Sequence, residues 1–584
     1  MSAPVLRPKA ADRDLVQRRF VRGRVSPRGV VWLGFRSFWG HMRHLAASAI
    51  ATEDIDSRDW MTPDEPAELV ARVAGVLGGA LPQASPPSSS DHLVGALGRD
   101  VWIDYVSDTG DDVSVSRAVA RLLAADYELP DPDGSDVIVR APRGDILLFG
   151  GDTAYPVATA HEITNRVLVP FNDELARRDD GRARVLLGIP GNHDWYDGLD
   201  GFGRMFRRRD EDADTRPSTV GVSRRMLEHY AEWTRELVLG GTVDKPALLT
   251  LQGYTPVQGA SYFILPLSAE VHLVAVDRQL RTIDTRQRRF HRRWLQDHPE
   301  ASPWVLMADP LFAFGEASAT GTEVVRSLEL DFDARPHFLL AGDIHHYERL
   351  EDDRLLHVVA GGGGAFLHPA PVVCGRREAQ VRWPGPAQSR ALLWQVPLKI
   401  AAGRSGLIPH VVLGAIFAPA ILVGMSVYER FGVLVSAPLA TTLVVGIILT
   451  LIGGVRRRPG AVAALAFATA TIIASIPIAA SAVVARALAI VQDRPPVWGI
   501  AALTYVAAVL LGATMVGVFL ALLTRLGLEQ TQAFTTLDHP GFKHFLRLRV
   551  RADGRRVDGW CIGVVDPLRE GAEPVVVDRF TWRP

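Results

Sequence analysis

Four apolar runs between residues 95 and 370 each end in a short polar loop that carries Asp, Asn or His. VWIDYV leads to Ser107-Asp108-Thr109-Gly110-Asp111, and DILLFGG leads to Asp152-Thr153-Ala154-Tyr155-Pro156. RVLLGIP leads to Gly191-Asn192-His193-Asp194, and HFLLAG leads to Asp343-Ile344-His345-His346. Oxygen and imidazole donors of this kind suit Mn, Fe or Zn. Two such ions about 3.5–4 Å apart can hold a phosphate ester and stabilise both the entering and the leaving oxygen of an in-line displacement. Glycines ahead of the donors, as in Gly151-Asp152 and Gly191-Asn192, allow the sharp turns that would aim them.

Elements that hold such loops are buried strands, because a strand covered on both faces reads as a continuous apolar run. Open α/β sheets assemble their sites where the carboxyl ends of those strands meet. At 584 residues the chain exceeds a single core and divides into two or three units. Hydropathy changes near residue 405. Residues 407–427, 432–455, 461–485 and 498–524 carry no Asp, Glu, Lys or Arg. Each is long enough to cross a bilayer, which takes about 20 residues of helix. They are predicted to be four transmembrane helices, with Pro419, Pro438 and Pro477 inside three of them. Lys399, Arg404, the Arg456-Arg457-Arg458 loop and Arg525 lie on one side, against Arg430, Arg486 and Arg494 on the other. That excess predicts both termini in the cytoplasm.

The expected division is a helical and linker region over 1–94, a catalytic domain over 95–400, the membrane region over 405–526 and a small cytoplasmic β-rich tail over 530–584. LPQASPPSSSDH at 81–92 reads as a linker. Residues 29–51 mix Trp, Phe and Leu with Arg and His, which fits either an interfacial helix or a helix packed on the catalytic domain. Two strands joined at Ala552-Asp553-Gly554 are expected in the tail.

The order Asp-x-Gly, Gly-Asp-x-x-Tyr, Gly-Asn-His-Asp and a late Gly-x-x-His resembles the calcineurin-like metallophosphoesterase superfamily over roughly residues 95–370. That resemblance implies a four-layer α/β/β/α sandwich of the α+β class. Most members have Asp-x-His in the first motif, where this chain has Gly110. Tyr155, three residues after Asp152, is similar to the metal-binding tyrosine of purple acid phosphatases. The resemblance implies a first metal on Asp108, Asp152, His345 and Tyr155, and a second on Asp152 and Asn192. It also implies that His193 acts as general acid or phosphate contact, oriented by Asp194. The two further histidines of the second metal are replaced by Ala308 and Asp343, which leaves Asp343 and neighbouring Asp309 as oxygen donors. The GDxHHY form and the Gly361–Gly364 run resemble a membrane-bound bacterial subfamily, with His346 and His368 as further candidates for ligands or phosphate contacts.

Lys and Arg number 64 against 65 Asp and Glu, so no net field draws the protein toward nucleic acid. Two cysteines, Cys374 and Cys561, provide neither a disulfide framework nor a zinc spacing. The expectation is a multi-pass protein of the cell (inner) membrane that hydrolyses a phosphate mono- or diester, membrane-proximal or soluble, with two divalent or mixed-valence ions of Mn, Fe or Zn. Its competitor is a weak or inactive domain of the same fold that senses a ligand for its membrane part.

Overall fold

Along β1 (Val101–Val106) the side chains of Val101, Ile103 and Tyr105 enter one apolar cluster, while Trp102 and Val106 enter another. Successive side chains of a strand face opposite ways, so β1 is buried on both faces. The same alternation sends Leu273, Trp304, Leu306, Phe338 and Leu340 into the first cluster, and Val274, Val305, Met307, Leu339 and Ala341 into a third. The first cluster therefore lies between two sheets, and the other two lie under helices.

The structure is a computed structural model and describes residues 30–35, 38, 39, 42, 62–79, 90–134, 137–208, 249–278, 282–370, 377–426, 431–454, 458–491 and 497–584. Most of the linker at 81–92, Cys374, and Arg430, Arg456, Arg457 and Arg494 of the loops lie outside the described residues. In chain order the strands of the two large sheets after β1 are β2 (Ile146–Phe149), β3 (Arg184–Gly188), β4 (Tyr254–Pro256), β5 (Phe263–Pro266), β6 (Val271–Ala275) and β7 (Ser302–Met307). There follow β8 (His337–Ala341), β9 (Tyr347–Glu351), β10 (Leu355–Ala360), β11 (Val381–Trp383), β12 (Lys543–Val550), β13 (Val557–Val564) and β14 (Val575–Trp582). One seven-stranded sheet runs β14-β13-β12-β1-β2-β3-β4, and the other runs β11-β9-β10-β8-β7-β6-β5. β1 to β4 are parallel, as are β6, β7, β8 and β10, so the loops after them emerge at the carboxyl edges of the two sheets.

Helices α1 (Val113–Leu123) and α2 (Val169–Ala176) cover the outer face of the first sheet, through Val119, Leu123, Phe171 and Leu175. Helices α3 (Thr285–Asp297) and α4 (Ala319–Leu328) cover the second, through Leu295, Val324 and Leu328. Asp112 caps α1 by accepting from the Ser114 and Val115 N–H groups, and Asp284 caps α3 in the same way from Arg286 and Gln287.

Residues 530–584 do not stand apart from the sandwich. They supply β12, β13 and β14 to the first sheet, with β12 antiparallel to β1 from Val550 opposite Val101 to Leu546 opposite Tyr105. The tail thus has three strands where two were expected, because β14 pairs on the far side of β13.

Between the two parts of the first sheet lie α5 (Pro386–Leu393), α6 (Val396–Ala401), α7 (Ile408–Ser426), α8 (Phe431–Gly453), α9 (Pro459–Val491), α10 (Val497–Arg525) and α11 (Gln532–Leu537). α7 to α10 match the four apolar runs. Among the described residues, Pro459–Ala480 and Trp498–Arg525 are long and apolar enough to cross a membrane, and Ile408–Pro419 and Pro438–Gly453 form shorter apolar stretches.

Candidate functional site

Loops after six parallel strands meet at one edge: Asp108 follows β1, Asp152 and Tyr155 follow β2, and Asn192 to Asp194 follow β3. Arg278 follows β6, Asp309 follows β7, and Asp343 and His345 follow β8. Asp108, Asp152 and Asp343 turn their chains through left-handed backbone at φ 59°, 48° and 62°. Non-glycine residues adopt that region at a cost, which Asp bears better than most and which clusters at functional sites.

The donors gather on the phenol of Tyr155. Its hydroxyl lies 2.9 Å from Asp108 Oδ1, 3.3 Å from Asp152 Oδ2 and 3.0 Å from His345 Nε2. His345 Nε2 is also 3.3 Å from Asp108 Oδ1. His345 Nδ1 faces the Phe366 carbonyl at 2.7 Å, and a carbonyl only accepts. Nδ1 therefore donates there, which turns Nε2 into the cluster. Gly110 explains the departure from Asp-x-His. A Cβ there would lie 2.8 Å from Ala154 Cα and from Thr153 O, so the space of an imidazole is filled by the chain that carries Tyr155.

Burial first, then Asp108, Asp194 and Asp343, push the Asp152 carboxyl well above the usual carboxylate range. Burial, then Asp309 and Asp108, push Asp343 up as well, with Arg278 opposing. The Tyr155 phenol is raised by burial and by Asp108 and Asp152, so a phenolate there needs a cation. Two carboxylates, a phenol and an imidazole are a donor set that Fe, Mn or Zn accepts. Among the described residues, no group of three or more His, Cys, Asp and Glu side chains stands in ion-holding geometry by itself. The donors meet at the Tyr155 oxygen instead.

His193 lies beside this cluster, its ring centroid 4.4 Å from that of Tyr155. Its backbone N–H donates to Asp152 Oδ1 at 2.8 Å, and its Nδ1 donates to the Pro156 carbonyl at 2.7 Å. The imidazole is thus oriented by Pro156 and not by Asp194. Asp194 instead accepts from the Gly191 N–H at 2.8 Å and from the Thr153 N–H at 3.3 Å, fixing the loops after β3 and β2 to each other. Burial raises its pKa to about 6, against those N–H donors.

The remaining candidates separate. Asn192 Nδ2 donates to the Tyr196 hydroxyl at 3.0 Å. The Asp343 N–H donates to Asp108 Oδ2 at 3.0 Å. Asp309 is engaged by the Arg278 guanidinium. His346 faces Glu348 at 3.8 Å and stands away from the cluster. His368 stacks on His345 at 4.0 Å and accepts the His345 backbone N–H on Nδ1 at 3.1 Å, which makes it a support for that ring. The Gly361–Gly364 run lets the second sheet approach the first: a Cβ on Gly361 would lie 2.7 Å from Asp108 Oδ2.

Two residues of this edge escaped the sequence reading. Arg278 ends the run VHLVAV, which has the same strand-then-polar form as the other four. Trp32 lies edge-on to Tyr155 and His193, both at 6.0 Å, and to Phe366 at 5.6 Å.

Two mixed sheets with acidic and imidazole loops at their shared carboxyl edge are consistent with a metallophosphoesterase domain. Residues 102–347 match the family model of the calcineurin-like phosphoesterases, and the chain carries a domain of that family over this range. No curated protein sequence matches the chain. One solved structure, described as GAP50, the anchor in the inner membrane complex of Plasmodium, aligns at 11% identity and a TM-score of 0.29 over 49% of this chain and 78% of its own. A structure of PhoD aligns at 11% identity and a TM-score of 0.26 over 46% of this chain and 58% of its own.

Proposed function

We propose that the protein is a membrane-anchored, metal-dependent hydrolase of phosphate esters. The observation that carries this reading is the convergence of Asp108, Asp152 and His345 on Tyr155, with His193 alongside. Asp108, Asp152, Tyr155 and His345 would hold one ion, and Asp152 with Asn192 and Asp343 would hold a second. Ions bound there supply Lewis-acid polarisation of the phosphoryl group and activation of water. His193, its ring fixed by Pro156 beside Tyr155, contacts a phosphoryl oxygen or delivers a proton to the leaving alcohol. Asp194 keeps the loops after β2 and β3 in register. α7 to α10 serve as four membrane spans, and the pairing of β1 with β12 on either side of them supports an even number of crossings. The basic flanks favour a cytoplasmic catalytic domain.

A second reading, a ligand sensor without turnover, draws on one observation. Ala308 stands where a ligand would be expected, and its neighbour Asp309 is already engaged by Arg278. Metal analysis of the purified chain together with turnover of aryl phosphate mono- and diesters separates the two. Bound metal with turnover supports the hydrolase, and bound metal without turnover on either ester supports the sensor.

A further inference from the structure

The catalytic edge also faces the end of the molecule from which the apolar helices leave. Leu33 N–H donates to the Ser405 carbonyl at 3.1 Å, and Ile408 N–H, at the start of α7, donates back to the Leu33 carbonyl at 3.1 Å. One residue earlier, Trp32 lies over Tyr155, His193 and Phe366, and the Val30 N–H donates to Asp111 Oδ1 at 2.7 Å. Five residues, 30 to 34, therefore reach from the site to the first apolar helix. On the other side, α6 packs against α10, since a Cβ on Gly517 would lie 2.5 Å from Pro397 Cα. Gly517 is two turns inside α10, so α6 lies alongside the apolar part of that helix and not beyond its end.

The side chains that border this junction are apolar and uncovered. Trp39 is 71% exposed, Trp394 and Leu398 are each 72%, and Phe35, Phe38 and Leu407 are exposed as well. Aromatic residues at this level are the usual mark of a membrane–water interface. The patch continues into the exposed apolar faces of α7 and α8, at Val411, Leu439 and Leu443. A soluble ester would gain nothing from that surface, while a hydrocarbon chain gains with each CH₂ it buries.

We propose that the phosphate ester of this site is a lipid, with its phosphate under Trp32 beside Tyr155 and His193 and its hydrocarbon chain running past Phe35 and Trp39 into the bilayer. This rests on the hydrolase reading for turnover and on geometry alone for binding, so the two are tested apart. The full chain would be reconstituted in phosphatidylcholine vesicles. Turnover of phosphatidic acid in those vesicles and of soluble para-nitrophenyl phosphate would be compared for the wild type and for Trp39→Ala combined with Leu398→Ala. The expected result is a ratio of lipid to soluble turnover lowered by about tenfold, the equivalent of roughly 1.4 kcal/mol. An unchanged ratio overturns the proposal. Binding is read separately from quenching of tryptophan fluorescence by phosphatidic acid with brominated chains, the Trp32→Phe variant giving the share due to Trp32. Quenching at Trp32 without turnover of either ester removes the hydrolase reading and keeps the lipid site. No more quenching at Trp32 than brominated phosphatidylcholine produces, or displacement of the lipid by free glycerol phosphate at equal concentration, removes the lipid site whether or not the protein is a hydrolase.

Discussion

Arg547 on β12 donates to both carboxylate oxygens of Asp104 on β1, at 2.7 and 3.0 Å across 443 residues of sequence, and neither side chain is exposed. Its remaining N–H groups reach the Leu123, Ala125 and Ala141 carbonyls, so the guanidinium is fully satisfied inside the first sheet. Removing one member of such a pair strands the other charge, at a cost of about 3–5 kcal/mol, whereas replacing both by apolar groups is often close to neutral. Arg547→Ala is therefore expected to lower the unfolding midpoint in urea strongly, and Asp104→Leu with Arg547→Met to recover most of the loss. If the double variant proves as unstable as the sum of the singles, the pair is not the connection described.

The same pairing bears on topology. Because β1 and β12 share a sheet, the chain on either side of α7 to α10 must sit on one side of any membrane. A reporter active only outside the cytoplasm, fused after Pro584, should stay silent, as should one placed ahead of residue 95. Opposite signals from the two fusions would be incompatible with the sheet.

The edge that gathers these loops was readable because strands buried on both faces leave unbroken apolar runs, each ending in a polar loop. That pattern singles out the loops of Asp108, Asp152 and His345, while Tyr155 and the metal roles of all four come from the family resemblance. Arg278 shares the pattern, but the search for metal donors passed over a cation. β12 was harder. KHFLRLRV carries four basic side chains, which reads as a half-exposed strand, yet Lys543 and Arg547 are buried. Nothing near Arg547 in sequence announces that its partner is Asp104. His345 and His346 show a second limit, since the loop turns one toward Tyr155 and the other toward Glu348, and adjacency in sequence does not say which.

Acid should unfold the domain through its buried histidines. Burial lowers His357 to about 4, His291 to about 4 and His544 to about 3, from an ordinary 6.5. His357 is held neutral by its place as acceptor of the Phe312 N–H at 3.3 Å. Below pH 6.5 the unfolded chain takes up protons that the folded chain refuses, so stability falls as pH drops from 6.5 toward 4, and it is level above 6.5 as far as these groups are concerned. Urea midpoints at pH 7, 6, 5 and 4 would follow that curve, and His357→Gln would flatten part of it.

Ion binding should depend on the phenol. Tyr155→Phe keeps the ring against Trp32 and removes the oxygen on which Asp108, Asp152 and His345 converge. Titration of Mn, Fe or Zn into the purified variant is expected to show weaker binding at one site, by the 10–100-fold typical of altering groups around a metal. Asp152→Asn, which removes the carboxylate shared by both proposed sites, should cost more than Tyr155→Phe. A phenylalanine variant that binds as tightly as the wild type would return Tyr155 to packing.

His193 is the residue on which hydrolase and sensor part. Its ring is placed by the Pro156 carbonyl on one side and by the rings of Tyr155, itself a proposed ligand, and Tyr196 on the other, at centroid distances of 4.4 and 5.1 Å. His193→Ala leaves the side chains of Asp108, Asp152, Tyr155 and His345 in place, and the backbone N–H that donates to Asp152 remains. Metal stoichiometry should therefore match the wild type. Turnover of an alkyl phosphate should fall by the ~10²–10⁴-fold that loss of a general acid costs. An aryl phosphate carries a better leaving group that needs less proton donation, so its rate should fall less, and the ratio of the two losses reports whether His193 delivers a proton or only contacts the phosphate. Equal losses on both esters would assign it to contact alone. A variant as fast as the wild type on both would remove His193 from the reaction.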